Sequence, residues 1–212
     1  TGGIGLVMWR VRAKSGGMTA RDGFLIVGLS WIAMSLFGAL LFVLTGDIPN
    51  YIDALFETIS GLTTTGASVV TSPESMTRGG MFWRLFTHWI GGMGIIVFVL
   101  AVLPMSGNRS MHIMRAEVPG PTVGKLVPRI RKTASILYLL YIALTLVETV
   151  LLVAGGMSFY DALLHAFATA GTGGLSTRAL SIGYYNSAYI DIVVGVFMIL
   201  FGVNFSLYSL IL

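Results

Sequence analysis

Two short clusters in this 212-residue chain have the composition needed to hold a bare cation, Thr64-Thr65-Gly66 and Thr172-Gly173-Gly174. An ion entering a low-dielectric medium pays about 20 kcal/mol by the idealised Born cost, so protein oxygens must replace its hydration shell. Glycine lets backbone carbonyls turn toward a common axis, and threonine can add a hydroxyl. One such segment offers too few ligands to surround an ion. Potassium-type filters use four loops around one axis, so two clusters predict two counterparts elsewhere, in the same chain or another.

The elements before the clusters should position them. Pro49-Asn50 can open a helix carrying Asp53, Leu55, Phe56 and Ile59 to Gly61, and Ser158 with Asp161 three residues on is a capping-box pattern opening a helix to about Ala168. Each helix is only ~10–12 residues, whereas crossing the hydrocarbon takes ~20. A short apolar helix followed by irregular backbone predicts a re-entrant loop, tolerated at membrane depth only inside protein or along a water-filled cavity. Its partly negative C-terminal end would point at the cation. Asp53-Ala54-Leu55 recurs as Asp161-Ala162-Leu163 at an offset of 108 residues, which also carries Thr64-Thr65-Gly66 onto Thr172-Gly173-Gly174 and Ser68 onto Ser176. The repeated unit is helix, re-entrant helix, Thr-x-Gly segment and helix, twice in the same orientation.

Composition fixes the solvent. The chain is 55% apolar and 10% charged with a mean hydropathy of +0.86, far below the ~25% charge of soluble domains. This excludes a cytosolic enzyme, a nucleic-acid binder and a disordered tail. Without cysteine there is no disulfide framework, thiolate zinc site or cysteine nucleophile. Uncharged runs over 23–46 and 85–108, a run over 133–160 broken only by Glu148, and one over 192–212 predict four full spans, with a helix remnant at 1–9. The segments 10–21 and 109–132 hold ten of the 13 cations, which places them in the cytoplasm and the pore loops outside. These basic stretches can serve topology and lipid attraction, dock a cytosolic partner, or both. The fold class is therefore an all-α membrane protein of tandem parallel helix, pore loop, helix repeats. Its parts are a basic lead-in (1–22), a first repeat (23–108), a basic linker (109–132) and a second, truncated repeat (133–212). Opening at Thr1 and closing at Leu212, both in apolar runs, the sequence reads as an excerpt of a longer protein.

The runs Phe56-Glu57-Thr58-Ile59-Ser60-Gly61-Leu62-Thr63-Thr64-Thr65-Gly66-Ala67 and His88-Trp89-Ile90-Gly91-Gly92-Met93-Gly94-Ile95 resemble the first pore repeat of bacterial Trk-type potassium uptake proteins. Arg115-Ala116-Glu117-Val118-Pro119-Gly120-Pro121, His165-Ala166-Phe167-Ala168-Thr169 and Gly173-Gly174-Leu175-Ser176-Thr177 resemble that family's linker and second repeat. The resemblance covers nearly the whole chain. It implies a potassium-translocating membrane subunit of the Trk/Ktr/HKT superfamily in the bacterial inner membrane, with four repeats around one pore. It carries the filter positions, and so the potassium contacts, onto Thr64, Thr65, Gly66, Thr172, Gly173 and Gly174. In plant relatives a serine at the first filter glycine accompanies sodium preference, so Gly66 favours potassium. The resemblance also implies a homodimer and a cytosolic regulatory ring that binds nucleotide (NAD or ATP/ADP), with potassium as substrate and no cofactor in this chain. The family's gating loop and pore-facing arginine belong to its third and fourth repeats, outside these residues.

Other polar residues carry plainer expectations. Glu148 should form an interhelical hydrogen bond or stay neutral; a proton- or sodium-coupled carrier would instead use it as a relay. His88 should pack at the membrane interface, His165 should hold the second re-entrant helix in place, and His112 carries no motif. Asn204 faces a cavity or a neighbouring helix. Gly91, Gly92 and Gly94 should allow close packing or a bend, while Asp53 and Asp161 should anchor helix starts. A membrane-embedded enzyme is disfavoured: there is no His-Glu-x-x-His pair, nucleophile motif or carboxylate dyad on one helix face. Carriers often show inverted repeats, whereas these two run in parallel.

Overall fold

The computed structural model describes residues 20–102 and 130–203, with side chains over 25–94 and 135–203. Described residues form six α-helices and no strands: α1 (Ala20–Thr45), α2 (Tyr51–Leu62), α3 (Arg78–Val102), α4 (Ile130–Ala154), α5 (Phe159–Ala170) and α6 (Ala188–Gly202). Within α1 and α4, Leu25–Thr45 and Ser135–Ala154 are long and apolar enough to cross a membrane, while α6 is apolar but shorter. Leu29, Leu44, Leu139 and Ile199 project outward largely exposed, as side chains solvated by lipid rather than water would. The basic segments 10–21 and 109–132, His112, Asn204 and the helix remnant lie outside the residues whose side chains are described.

The two short helices form where their caps dictate. The Asn50 side chain accepts the Ile52 N–H at the start of α2, and the Ser158 hydroxyl accepts the Asp161 N–H at the start of α5. Both helices are 12 residues long and stand at the 108-residue offset. The elements after them keep the register approximately, a 3₁₀ turn at Pro73–Ser75 and another at Ser181–Tyr185.

Packing ties each short helix between longer ones. Ala39 and Phe42 of α1 bury against Ala54 of α2. Met81 and Leu85 of α3 bury against Leu164 and Phe167 of α5. Tyr141 and Leu152 of α4 share a core with Ile190, Phe197 and Phe201 of α6. The span boundaries depart from the charge-free runs because Arg84, which borders one such run, lies inside α3 and is buried there. Its ion pair makes that burial possible. The helix then breaks at Gly94, whose φ of 71° and ψ of 139° lie outside helical space, a conformation that only a residue without Cβ adopts cheaply.

Asp47 joins the end of α1 to the start of α3. Its carboxylate accepts the Thr45 hydroxyl at 2.7 Å, the Thr77 N–H at 2.6 Å and the Thr77 hydroxyl at 2.7 Å. Burial alone would raise this carboxyl, but these hydrogen bonds outweigh it and hold the pKa below the ordinary 3.8. With the folded-state pKa depressed, the stabilisation is complete above the unfolded value and is lost as pH falls through the lower, folded one. Melting of the detergent-solubilised protein should therefore shift downward below about pH 4, and Asp47→Asn should flatten that part of the profile. A profile identical in the variant contradicts the assignment.

Candidate functional site

The two Thr-x-Gly segments leave their helices by the same backbone path. After α2, the N–H groups of Thr63, Thr64 and Thr65 donate to the carbonyls of Ile59 (2.8 Å), Gly61 (3.1 Å) and Ser60 (2.9 Å). After α5, those of Gly171, Thr172 and Gly173 donate to Phe167 (3.2 Å), Thr169 (2.9 Å) and Ala168 (3.2 Å), the same three bonds one offset later. Thr64 and Thr172 then take φ of 54° and 51°, and Gly66 and Gly174 take 74° and 75°. A threonine held left-handed costs of order 1–3 kcal/mol and persists only where its surroundings over-determine it. Here the same strain recurs at matched positions.

The segments also meet. A Cβ added at Gly66 would run into the carbonyl oxygen of Gly173, so the backbone of one segment lies directly on that of the other. α3 packs behind both: a Cβ at Gly91 would strike the Leu62 carbonyl, and one at Gly173 would strike the His88 ring. Thr65, Thr172 and Gly174 remain exposed. Of the six residues expected at the site, Gly66 and Gly173 are thus in direct apposition. The other four flank them on the same two turns.

A polar frame behind the turns escaped the sequence reading. Glu57 of α2 is buried, and its Oε1 lies 2.6 Å from Arg84 Nε of α3. The same carboxylate accepts the Ser68 hydroxyl at 2.9 Å and the Val69 N–H at 3.0 Å. Arg84 Nη2 donates to Ser68 Oγ at 2.8 Å, and Nη1 reaches across to the Ser176 carbonyl at 3.3 Å. On the second turn His165, one offset from Glu57, takes the matching role: its Nε2 lies 2.9 Å from Ser176 Oγ, and its Nδ1 lies 2.7 Å from the Asp161 carbonyl. The Val70 and Arg178 N–H groups each donate to the matched serine hydroxyl at 3.0 Å. A glutamate on an apolar half-length helix and an arginine inside an apolar run were the available signals.

His165 therefore holds its helix to the following turn, as expected. His88, expected at the membrane interface, is instead fully buried against Gly171 and Gly173, and neither ring nitrogen has a hydrogen-bond partner among the described residues. Glu148 of α4 is also fully buried, with the Thr169 hydroxyl of α5 as its interhelical side-chain partner. Asp161 anchors its helix, accepting the hydroxyls of Ser158 (3.0 Å) and Thr177 (2.9 Å), with Arg178 Nη2 at 3.5 Å. Asp53 occupies the first turn of α2. No cluster of three or more His, Asp or Glu side chains suited to a metal ion occurs among the described residues. On the loop side, Glu74 Oε1 accepts the Ala179 N–H at 2.7 Å. That bond is the main cause of a lowered Glu74 pKa.

Two helices long and apolar enough to cross a membrane, packed with two half-length helices, give the all-helical architecture of the described residues. The family model TrkH, described as cation transport protein, matches residues 4–212, and the chain belongs to that family. Its members are transport proteins, not enzymes. The chain is 41% identical over 206 residues to the Trk system potassium uptake protein TrkH of Escherichia coli K12, covering 96% of this chain and 42% of that relative. It is 37% identical over 212 residues to TrkG, a Trk system potassium uptake protein of the same organism, covering 99% of this chain and 44% of the relative. The crystal structure of the potassium transporter TrkH from Vibrio parahaemolyticus superposes with a TM-score of 0.71 at 37% identity, over 91% of this chain and 38% of that one. This chain thus spans about two-fifths of the length of those relatives.

Proposed function

We propose that this chain is part of a potassium-translocating membrane protein and supplies two of four filter segments to one pore. Each segment, Thr64-Thr65-Gly66 and Thr172-Gly173-Gly174, presents backbone and hydroxyl oxygens that replace water around a dehydrated potassium ion. The chain then comprises two parallel repeats, 23–108 and 133–212, each with two full spans flanking a re-entrant helix, joined by the basic linker 109–132. The turns face outward, and the basic segments 10–21 and 109–132 lie in the cytoplasm of a bacterium whose inner membrane holds the protein. Dimerisation with a second copy, and control by a cytosolic nucleotide-binding ring, complete the reading.

The observation that carries it is the paired left-handed geometry of Thr64/Gly66 and Thr172/Gly174, with Gly66 set against the Gly173 carbonyl. Strain of this kind persists only where the surrounding structure over-determines it, and it clusters at functional sites. The carboxyl ends of α2 and α5 lead into these turns, adding partial negative charge where a cation would sit. Names borne by relatives, potassium uptake protein and potassium transporter, favour the same ion. The complete protein containing this chain, reconstituted in liposomes, should take up rubidium that external potassium displaces far better than sodium. Uptake displaced equally by both ions, or no uptake at all, overturns the proposal.

A further inference from the structure

We infer that Arg84 is a specificity-determining positioning residue, a clamp that holds the two filter turns at a fixed spacing. The inference rests on the pore reading above. The guanidinium spends its nitrogens on α2 and on both turns: Nε on Glu57 at 2.6 Å, Nη2 on Ser68 Oγ at 2.8 Å, and Nη1 on the Ser176 carbonyl at 3.3 Å. Ser68 follows the first Thr-x-Gly cluster and Ser176 follows the second, each two residues beyond the final glycine. The helix α2 and both turns are thus tied through one rigid planar group whose side chain is only 3% exposed.

Selectivity between alkali ions depends on where the carbonyl oxygens stand and how firmly they are held. The Gly66–Gly173 approach shows that the turns already touch, so a change in their spacing changes the cage itself. Each turn has its own anchor, Glu57 for Ser68 and His165 for Ser176. Glu74 ties the two loops farther out through the Ala179 N–H, and Arg84 bonds to both segments two residues beyond the clusters. Only a forked, planar donor set can do this. Lysine would keep the charge beside Glu57, but a single ammonium cannot stand in for three nitrogens held at fixed separations.

The test uses the complete protein in liposomes with Arg84→Lys, and Glu57→Asp as a second variant that keeps the charge pair while retracting the carboxylate by one methylene. Both should fold, judged by gel filtration and melting in detergent. Potassium-over-sodium discrimination in either should fall roughly tenfold, the worth of one charge-assisted hydrogen bond. If Arg84→Lys does not yield folded protein, Glu57→Asp decides. A purely structural role would lower yield and total flux while leaving the ion ratio unchanged, and that result overturns the inference. Wild-type protein without potassium preference would instead mean that the pore reading has failed. Preserved wild-type preference beside an unchanged variant ratio would mean that only the clamp has failed.

Discussion

Gly66→Ser in the complete protein is expected to cut potassium-over-sodium discrimination by about tenfold or more, the largest single-residue effect on transport that the site predicts. Two costs coincide at this position. Its φ of 74° is left-handed, which a residue with a Cβ adopts at a cost of roughly 1–2 kcal/mol. The added Cβ would also collide with the Gly173 carbonyl, which is main chain and cannot swing away like the end of a long side chain. The turns must then separate, and the oxygens that would replace water around potassium move with them. Gly156 serves as the control. It has a φ of 97° in the connection between α4 and α5 and no atom within 4 Å of an added Cβ. Gly156→Ser should lower the melting temperature while leaving the ion ratio intact. Rubidium and sodium uptake in reconstituted liposomes reads both variants, and an unchanged ratio in Gly66→Ser removes Gly66 from the filter.

Much of this arrangement was legible because it depends on local chemistry. Asn50 and Ser158 are good caps followed by short apolar runs, and the helices begin one residue after each. Gly91, Gly92 and Gly94 announced close approach and a bend; Gly91 faces the Leu62 carbonyl, Gly92 faces the Tyr141 hydroxyl, and Gly94 breaks α3. The 108-residue offset was visible in a few side chains and reappears in backbone hydrogen bonds that no side-chain pattern encodes. What stayed hidden depends on partners distant in sequence. Arg84 read as the end of a span because a lone charge in an apolar run is costly. It becomes tolerable only once Glu57, 27 residues away, neutralises it. His88 read as interfacial from its tryptophan neighbours, yet the glycines of the second turn leave space for its ring to be buried. Both errors arise from judging a polar residue by its neighbours in the chain rather than by its contacts.

The same ion pair should dominate stability. Glu57→Leu leaves Arg84 buried with a 3% exposed side chain and no countercharge, a loss of about 3–5 kcal/mol by the usual cost of breaking such a pair. Arg84→Met leaves the carboxylate in the reverse position and should cost a similar amount. Combining the two removes both charges, so the double variant should be far less damaged than two independent losses would predict. It should nevertheless fall short of wild type, unlike pairs that convert to apolar residues without penalty. Glu57 also accepts the Ser68 hydroxyl and the Val69 N–H, and Arg84 also serves the Ser176 carbonyl. Water can reach the exposed Ser68 and Val69, but Ser176 is buried, and a group left unpaired there costs about 1–3 kcal/mol. The double-mutant cycle, followed by thermal unfolding of the complete protein in detergent, should therefore show strong positive coupling with a residual deficit. Additive single losses would mean that the two charges do not interact in the folded protein. Full recovery in the double variant would mean that the frame contributes charge neutrality alone, without holding the turns.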